Sequence, residues 1–410
     1  MHILYLYQFF STRKDVGHTR AYEFAKQFVA QGHRVTVVTS GAGIEMTKSV
    51  HKSVVDGIEV VRLRAGYSNY LVGNTLPYVA RIKVFLSFLL RSTAYCLCAK
   101  DLGTVDVLYA TSPPLTVAVP ALLIGFIRRV PLVFEVRDCW PEAPIQLGVL
   151  RQPLLIWLAR ALERLVYRRA KHVVALSPGM RDVILSTTGL DTAKVSVVPN
   201  CADLDFFYPG VEGADGVREA LGLENKFVCL YFGAMGEANG LRALLNAFRV
   251  LHIRGETQIV AVLCGAGKER ASLETEAHEI GLDNVIFTGP LPKEAVPKLV
   301  AAADICLSHF KDVPILGTSS PNKLFDALSA GKPVLDNTNG WIKELLESYQ
   351  VGLSIPANDP ALFADALSRL SRDPERLQSY GKNARKLAET EFDRRAQARR
   401  LLEILARAAA

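Results

Sequence analysis

The sequence predicts an α/β protein of two successive domains, each built on a parallel sheet with helices on both faces. Length is the first reason: 410 residues exceed what one core ordinarily organises, and two units of about 200 residues are the natural division. Pattern is the second. Short apolar runs alternate with helical periods almost throughout, and the rhythm begins again after residue 200, as expected for strands buried on both faces.

The first series of strands reads Ile3–Tyr7, Val35–Thr39, Ile58–Leu63, Val105–Tyr109, Leu132–Val136, Val173–Leu176 and Val195–Val198. A helix closes at Gly32, and residues 41–76 are irregular around the third strand. The second series reads Phe227–Phe232, Ile259–Cys264, Val285–Thr288, Ile305–Ser308, Pro333–Asp336 and Gly352–Ile355. The stretch from Pro199 to Asp203 and the polar run Pro209–Gly216 separate the two series. The expected domains are 1–200 and 201–385, followed by a C-terminal helix at 386–410. In open α/β folds ligands bind at the carboxyl ends of the strands, so the strand-to-helix loops are where chemistry is expected.

Composition is ordinary for a folded protein, with 22% charged residues and a formal net charge of +7. An anionic partner fits that excess. Seven cysteines without a C-x-x-C pair read as reduced, buried thiols. The histidines lack ligand spacing, so no metal site is expected. The opening Met1–Tyr7 reads as a strand and not as a leader. The most apolar stretch, Pro77–Cys98, is interrupted by Arg81, Lys83 and Arg91. Leu115–Ile127 is short and holds Pro120. Neither is expected to span a bilayer.

The most informative loop runs from Thr318 through Ser319, Ser320, Pro321, Asn322 and Lys323 to Asp326 and on to Val334. It reads as a helix start with Ser320 as N-cap and Pro321 in the first helical position. The amides of Asn322 and Lys323 then form an anion site, and Lys323 gains a favourable role beside a diphosphate. Asp326 falls on the face of Asn322, placed to accept hydrogen bonds from ribose hydroxyls. Other candidate loops are Gln8–Gly17 with His18 and Arg20, Gly233–Gly240 including Gly236, and Gly265–Ala266–Gly267. Arg137, Asp138, Trp140 and Glu142 gather charge and one indole at the end of an apolar strand. The triplet Asp203–Leu204–Asp205 lies in the linker, which argues against its holding a cation.

Taken in order, these pieces resemble the retaining glycosyltransferases of family 4, which have the GT-B fold. The residues are the Gly17 loop, Arg137–Asp138 with Trp140–Pro141, Val173–Met180, Val197–Asn200, the Gly233 loop, Gly265–Gly267 and the run from Asp326 to Val334. The Trp140–Pro141–Glu142 and Pro321–Asn322–Lys323 segments look most similar to bacterial surface-polysaccharide transferases that add N-acetyl-fucosamine-type sugars. The resemblance implies two Rossmann-like domains facing each other across a cleft, with C-terminal helices crossing back to the first.

It further implies transfer of an N-acetyl amino sugar from a UDP-sugar to a lipid-linked, undecaprenyl-diphosphate saccharide. The implied donor residues are Gly17, Gly236, Gly265, Gly267, Thr288, Pro290, Thr318, Ser319, Ser320, Pro321, Asn322, Lys323 and Asp326. The implied acceptor residues are His18, Arg20, Trp140 and Glu142, with Asp138, Arg137 and Lys323 at the reacting centre. No metal and no cofactor are implied, the UDP-sugar being a substrate, and no nucleic acid is expected. The expected location is cytoplasmic, held peripherally to an anionic inner membrane surface through the mixed basic and apolar helices at 78–100 and 151–171.

The departures from the family are specific. Thr318 stands where the family has its first glutamate, and Asp326 where it has its second. Ala234, Met235 and Asn239 occupy the loop that elsewhere carries an arginine and a lysine. Lys323 is the natural substitute and Arg242 a weaker one. The rival readings are a sugar-nucleotide epimerase on the same fold and an inactive membrane-attached assembly subunit.

Overall fold

The computed structural model describes residues 1–13, 19–41, 46–65, 78–356 and 358–410. The chain divides into two compact units, Met1–Pro199 with Arg394–Ala410 and Asn200–Asp393. In chain order the first unit contains β1 (His2–Leu6), α1 (Arg20–Ala30), β2 (Arg34–Ser40), β3 (Val50–Val55), β4 (Ile58–Leu63), α2 (Tyr78–Cys98), β5 (Val107–Ser112) and α3 (Ala118–Arg128). It continues with β6 (Leu132–Val136), α4 (Glu142–Gln146), α5 (Pro153–Arg169), β7 (His172–Ala175), α6 (Pro178–Thr188) and β8 (Val195–Val197). The sheet order is β3-β4-β2-β1-β5-β6-β7-β8. Among the described residues of this sheet, only β3 and β4 pair antiparallel. Strand β3 was not anticipated. Its signal is the turn Asp56–Gly57, where both residues have positive φ, 49° and 78°, as a two-residue hairpin requires.

The crossovers fix which helices share a face. The chain moves one way along the sheet from β1 to β2, and the opposite way from β4 through β5 and β6 to β7. Right-handed crossovers therefore put α1 on one face and α2, α3 and α5 on the other. Helix α3 packs against both α2 and α5.

The second unit contains α7 (Ala214–Ala220), β9 (Phe227–Phe232), α8 (Leu241–Ile253), β10 (Ile259–Cys264), α9 (Arg270–Glu279), β11 (Val285–Gly289), α10 (Val296–Ala302) and β12 (Ile305–Ser308). It ends with α11 (Asn322–Ser329), β13 (Val334–Asp336), α12 (Trp341–Ser348), β14 (Gly352–Ser354), α13 (Pro360–Ser371) and α14 (Pro374–Glu391). Its sheet, β11-β10-β9-β12-β13-β14, is parallel throughout. One apolar cluster centres on Phe325, Trp341 and Phe392, and another on Tyr231, Phe248 and Phe363.

The last helix, α15 (Arg394–Ala409), belongs to the first unit and packs on α1. Arg394 lies 3.2 Å from the buried Glu23 carboxylate of α1. The return begins later than the expected residue 386. Helix α14 runs on to Glu391, and Leu387 and Ala388 are buried in the second unit's core. The amide of Ala202 donates to the Phe392 carbonyl at 2.9 Å, pairing the two connecting strands of chain. Five of the seven cysteines are buried thiols; Cys201 is half-buried, and Cys98 is exposed, contrary to expectation.

A buried ion pair ties the first unit together. Arg20 opens α1 and Glu135 lies within β6; their side chains are 5% and 0% exposed and meet at 3.0 Å. Arg20 also donates to the carbonyls of Val198 and Pro199, where the first pass of this unit ends. Thr111 of β5 donates to the other Glu135 oxygen at 3.1 Å. Removing one member leaves an uncompensated buried charge. Arg20→Met is therefore expected to lower stability by roughly 3–5 kcal/mol, measured as a reduced denaturant midpoint at unchanged slope. A loss below about 1 kcal/mol would show that the pair is dispensable.

Candidate functional site

The second unit brings four strand ends together. The loop after β9 starts at Gly233 and the loop after β10 at Gly265, and they lie in direct contact. A Cβ on Gly265 would sit 1.9 Å from the Gly233 carbonyl oxygen, and one on Gly267 2.3 Å from that of Met235. These two glycines therefore serve the close approach of one loop to the other. The amide of Gly233 donates to the Cys264 carbonyl at 2.9 Å, that of Met235 to Ala266 at 2.9 Å, and that of Gly265 to Gly289 at 3.0 Å. Thr288 and Pro290 flank Gly289 at the end of β11, with Pro290 exposed. Gly236 is different, because open space lies where its Cβ would be.

The segment 318–326 is held by its backbone. Asn200 donates to the Ser320 carbonyl at 2.6 Å, and the Trp341 indole donates to the Ser319 carbonyl at 2.8 Å. The Thr318 hydroxyl donates to the Ile315 carbonyl at 2.7 Å. Helix α11 starts at Asn322 with Pro321 in the capping position and no side-chain cap. The expected N-cap, Ser320, is one residue too early; its buried hydroxyl has no protein hydrogen-bond partner. Pro321 has extended backbone (φ −74°, ψ 134°), and so stands outside the helix. Asp326 is half-buried one turn into α11.

Lys323 is the centre of this site. Its ammonium nitrogen is buried, has no hydrogen-bond partner, and sits 3.7 Å from the centre of the Tyr231 ring. Its tip lies against Gly233, within 3.5 Å of where a Cβ there would be. Burial pulls its pKa down to about 7, opposed by the Asp336 carboxylate. A cation is thus kept dry beside a glycine loop and the first turn of a helix, the positive end of its dipole. That combination attracts an anion with several oxygens.

Three neighbours were not anticipated. His309 follows β12 and is buried; burial lowers its pKa to about 4, so the ring is neutral and Nδ1 donates to the Asn239 carbonyl at 2.8 Å. Asp336 ends β13 and accepts from the Thr338 amide at 2.6 Å and hydroxyl at 2.5 Å, with burial raising its pKa. Asn337 exchanges two hydrogen bonds with the Phe310 backbone, at 2.8 and 2.6 Å. Their common signal was polar residues at or just after the ends of short apolar strands, the same signal that singled out Arg137 and Asp138. Asn239 fixes His309 through its backbone carbonyl. Arg242 is paired with Glu276 at 2.7 Å on the surface. Lys311 is paired with Glu237 at 2.8 Å.

In the first unit the expected residues separate. Gly17 and His18 lie outside the described residues. Arg20, expected to meet an acceptor, is instead buried in the ion pair with Glu135. Arg137 is buried and donates to the Tyr7 hydroxyl at 2.8 Å, its guanidinium over that ring. Asp138 is exposed beyond the end of β6. Trp140 is half-buried, and Glu142 opens α4 and pairs with Arg160 at 2.8 Å. Asp203 and Asp205 lie around a turn in which the Asp203 carbonyl accepts from the amides of Phe206 and Phe207. Among the described residues no group of three potential ligands is placed to hold a metal ion.

Two family descriptions match the chain. Residues 17–201 match the glycosyl transferase 4-like domain, and residues 215–387 match glycosyl transferases group 1. A D-inositol 3-phosphate glycosyltransferase of Corynebacterium jeikeium is 29% identical over 202 residues, 47% of this chain and 47% of its own length. The match thus spans about half of that relative. A second such enzyme, from Kribbella flavida, is 26% identical over 397 residues, covering 90% of this chain and 86% of its own. Anabaena HepE, solved in complex with UDP-glucose, has the same fold, with a TM-score of 0.71 at 18% identity, covering 99% of this chain and 100% of its own. With one glycosyltransferase domain matched in each half, the chain belongs to the family 4 glycosyltransferases of the GT-B fold.

Proposed function

We propose that this protein is a retaining transferase that moves a sugar, in the first instance an N-acetyl amino sugar, from a UDP-sugar to a lipid-linked saccharide in cell-surface polysaccharide synthesis. The observation that carries the donor half is the buried, unpartnered ammonium of Lys323 beside the Gly233 loop and the start of α11. A nucleoside diphosphate supplies the negative charge that this cation lacks. The UDP-glucose bound to HepE supports uridine as the base. Lys323 and the first-turn amides of α11 take the diphosphate, Asp326 the ribose, and Gly265, Thr288 and Pro290 the base. Asp138, Trp140 and Glu142 serve the acceptor. The acceptor class rests on the Trp140–Pro141–Glu142 and Pro321–Asn322–Lys323 segments, and places the protein at the inner face of the cell membrane.

In the transfer, the bond from the anomeric carbon to the β-phosphate oxygen breaks and its electron pair stays on that oxygen. The acceptor hydroxyl oxygen forms the new bond on the same face. Its proton passes to the departing phosphate oxygen, so no protein base is needed. Lys323 stabilises the charge that grows on the leaving diphosphate. A charge-assisted contact of this kind is worth roughly 1.5–3 kcal/mol.

Lys323→Ala is expected to weaken UDP affinity or turnover at least tenfold. The assay is UDP release across a panel of UDP-sugars with an undecaprenyl-diphosphate-linked acceptor. Unchanged affinity and rate would remove Lys323 from the site. No UDP release with any donor, together with no UDP binding, would overturn the donor assignment. Asp326→Ala is expected to impair UDP binding, while Asp326→Glu retains it; full affinity in the alanine variant would end the ribose role.

Lys323 also makes a stability prediction. Its pKa is near 7 when folded and near 10.5 in an unfolded chain. Between those values the unfolded chain binds more protons, so this residue makes stability rise with pH. Its burial penalty is complete below pH 7. Lys323→Met is therefore expected to stabilise the protein at pH 7, by up to roughly 5 kcal/mol, while weakening UDP binding at least tenfold. The gain should shrink as pH approaches 10.5. Thermal unfolding of both proteins across this range measures it, and a methionine variant less stable than the parent at pH 7 would contradict the burial penalty.

A further inference from the structure

Helices α2, α3 and α5 lie side by side on one face of the first sheet, with α3 between the others. Each exposes an apolar stripe at helical spacing. On α2 it is Ile82, Leu86 and Leu90, the last 66% exposed. On α3 it is Leu123, Phe126 and Ile127, with Phe126 80% exposed. On α5 it is Leu154, Trp157 and Leu158, with Trp157 61% exposed. Isolated exposed leucines are ordinary, whereas three adjacent stripes form a patch of the kind that marks an interface.

The charge on these helices has one sign. Their only acidic residue is Glu163, which is buried. Lys83 and Arg91 on α2, and Arg164 and Arg168 on α5, are exposed. Long basic side chains beside apolar ones can reach a headgroup layer while the apolar tips enter it. A second copy of this chain is a poor occupant, because a two-fold contact would set two basic faces against each other. Among the described residues no helix is long and apolar enough to cross a membrane.

We propose that the α2–α3–α5 face docks on an anionic lipid bilayer, with Leu90, Phe126 and Trp157 entering the interface and the surrounding arginines and lysines meeting lipid phosphates. The central element is α3, whose exposed tip could not be told from a buried helix by sequence. The proposal deepens the reading of a membrane-borne acceptor, and rests on it only for that purpose. Bilayer binding requires neither donor nor turnover.

The test is flotation of the full chain with vesicles of phosphatidylcholine, alone or mixed with phosphatidylglycerol. Recovery is expected with the mixed vesicles, to be weaker with phosphatidylcholine alone, and to fall as salt screens the arginines and lysines. The combined variant Leu90→Glu, Phe126→Glu and Trp157→Glu is expected to lose at least tenfold in vesicle affinity. All three positions are exposed, so circular dichroism and UDP affinity should be unchanged. Trp157→Phe retains an apolar ring. It is expected to float like the parent but to lose quenching of tryptophan fluorescence by brominated lipid. The proposal is overturned if the parent chain does not float, if the triple variant floats equally, or if quenching is the same with and without Trp157. It is likewise overturned if the triple variant converts a stable dimer to a monomer without changing flotation. A parent chain that binds UDP but does not float counts against this face alone, whereas a parent chain that floats but does not bind UDP counts against the donor assignment alone.

Discussion

A sheet covered on both faces offers no water to a charge within it, and this constraint organises both units. Charge can persist there only where protein groups satisfy it, or at a strand end where something else does. In the first unit Glu135 is satisfied completely, by Arg20 and Thr111. The same arginine closes the pass by binding the carbonyls of Val198 and Pro199. In the second unit the Lys323 ammonium is buried at the strand ends, over the Tyr231 ring and without a hydrogen-bond partner. One charge is used up by the fold, and the other remains to be used.

The surroundings of Lys323 are stiff for identifiable reasons. The Gly233 and Gly265 loops touch backbone to backbone, so neither can move without the other. Asn337 clamps Phe310, His309 holds Asn239, and Asp336 is pinned by Thr338. Asn200 and Trp341 fix the approach to α11 through the Ser320 and Ser319 carbonyls. Such bracing keeps the ammonium from swinging into solvent, and sustains the desolvation that lowers its pKa. The neutral His309 adds no competing charge.

The first unit divides its helices by the direction of its crossovers. Helices α1 and α15 pack together, with Arg394 against the buried Glu23 carboxylate. The face formed by α2, α3 and α5 instead leaves its outer apolar stripes uncovered. Burying one more apolar side chain stabilises by about 1.5–3 kcal/mol, so a stripe left in water on three neighbouring helices is a standing reason to find a cover.

Alternating apolar runs were enough for two parallel-sheet domains and for the restart after Pro199, because buried parallel strands carry an unbroken local signal. Strand β3 escaped because an exposed edge strand such as Val50–Val55 has weak patterning, and only its Asp56–Gly57 turn marks it. The Thr318–Asp326 segment was legible as a helix start carrying Lys323 in its first turn, from proline, lysine and helix period together. Where its helix begins was not: Ser320 is a good capping residue by type, but its carbonyl is drawn to Asn200, over a hundred residues away in sequence. Arg20 looked like a ligand-facing cation for the same reason, since nothing local reveals Glu135 as its partner. The sequence by itself determined the buried strands, their order and the residue types at their ends. Tertiary structure alone decided which charges are neutralised inside the protein and which are left open, because that depends on contacts between residues far apart in the chain.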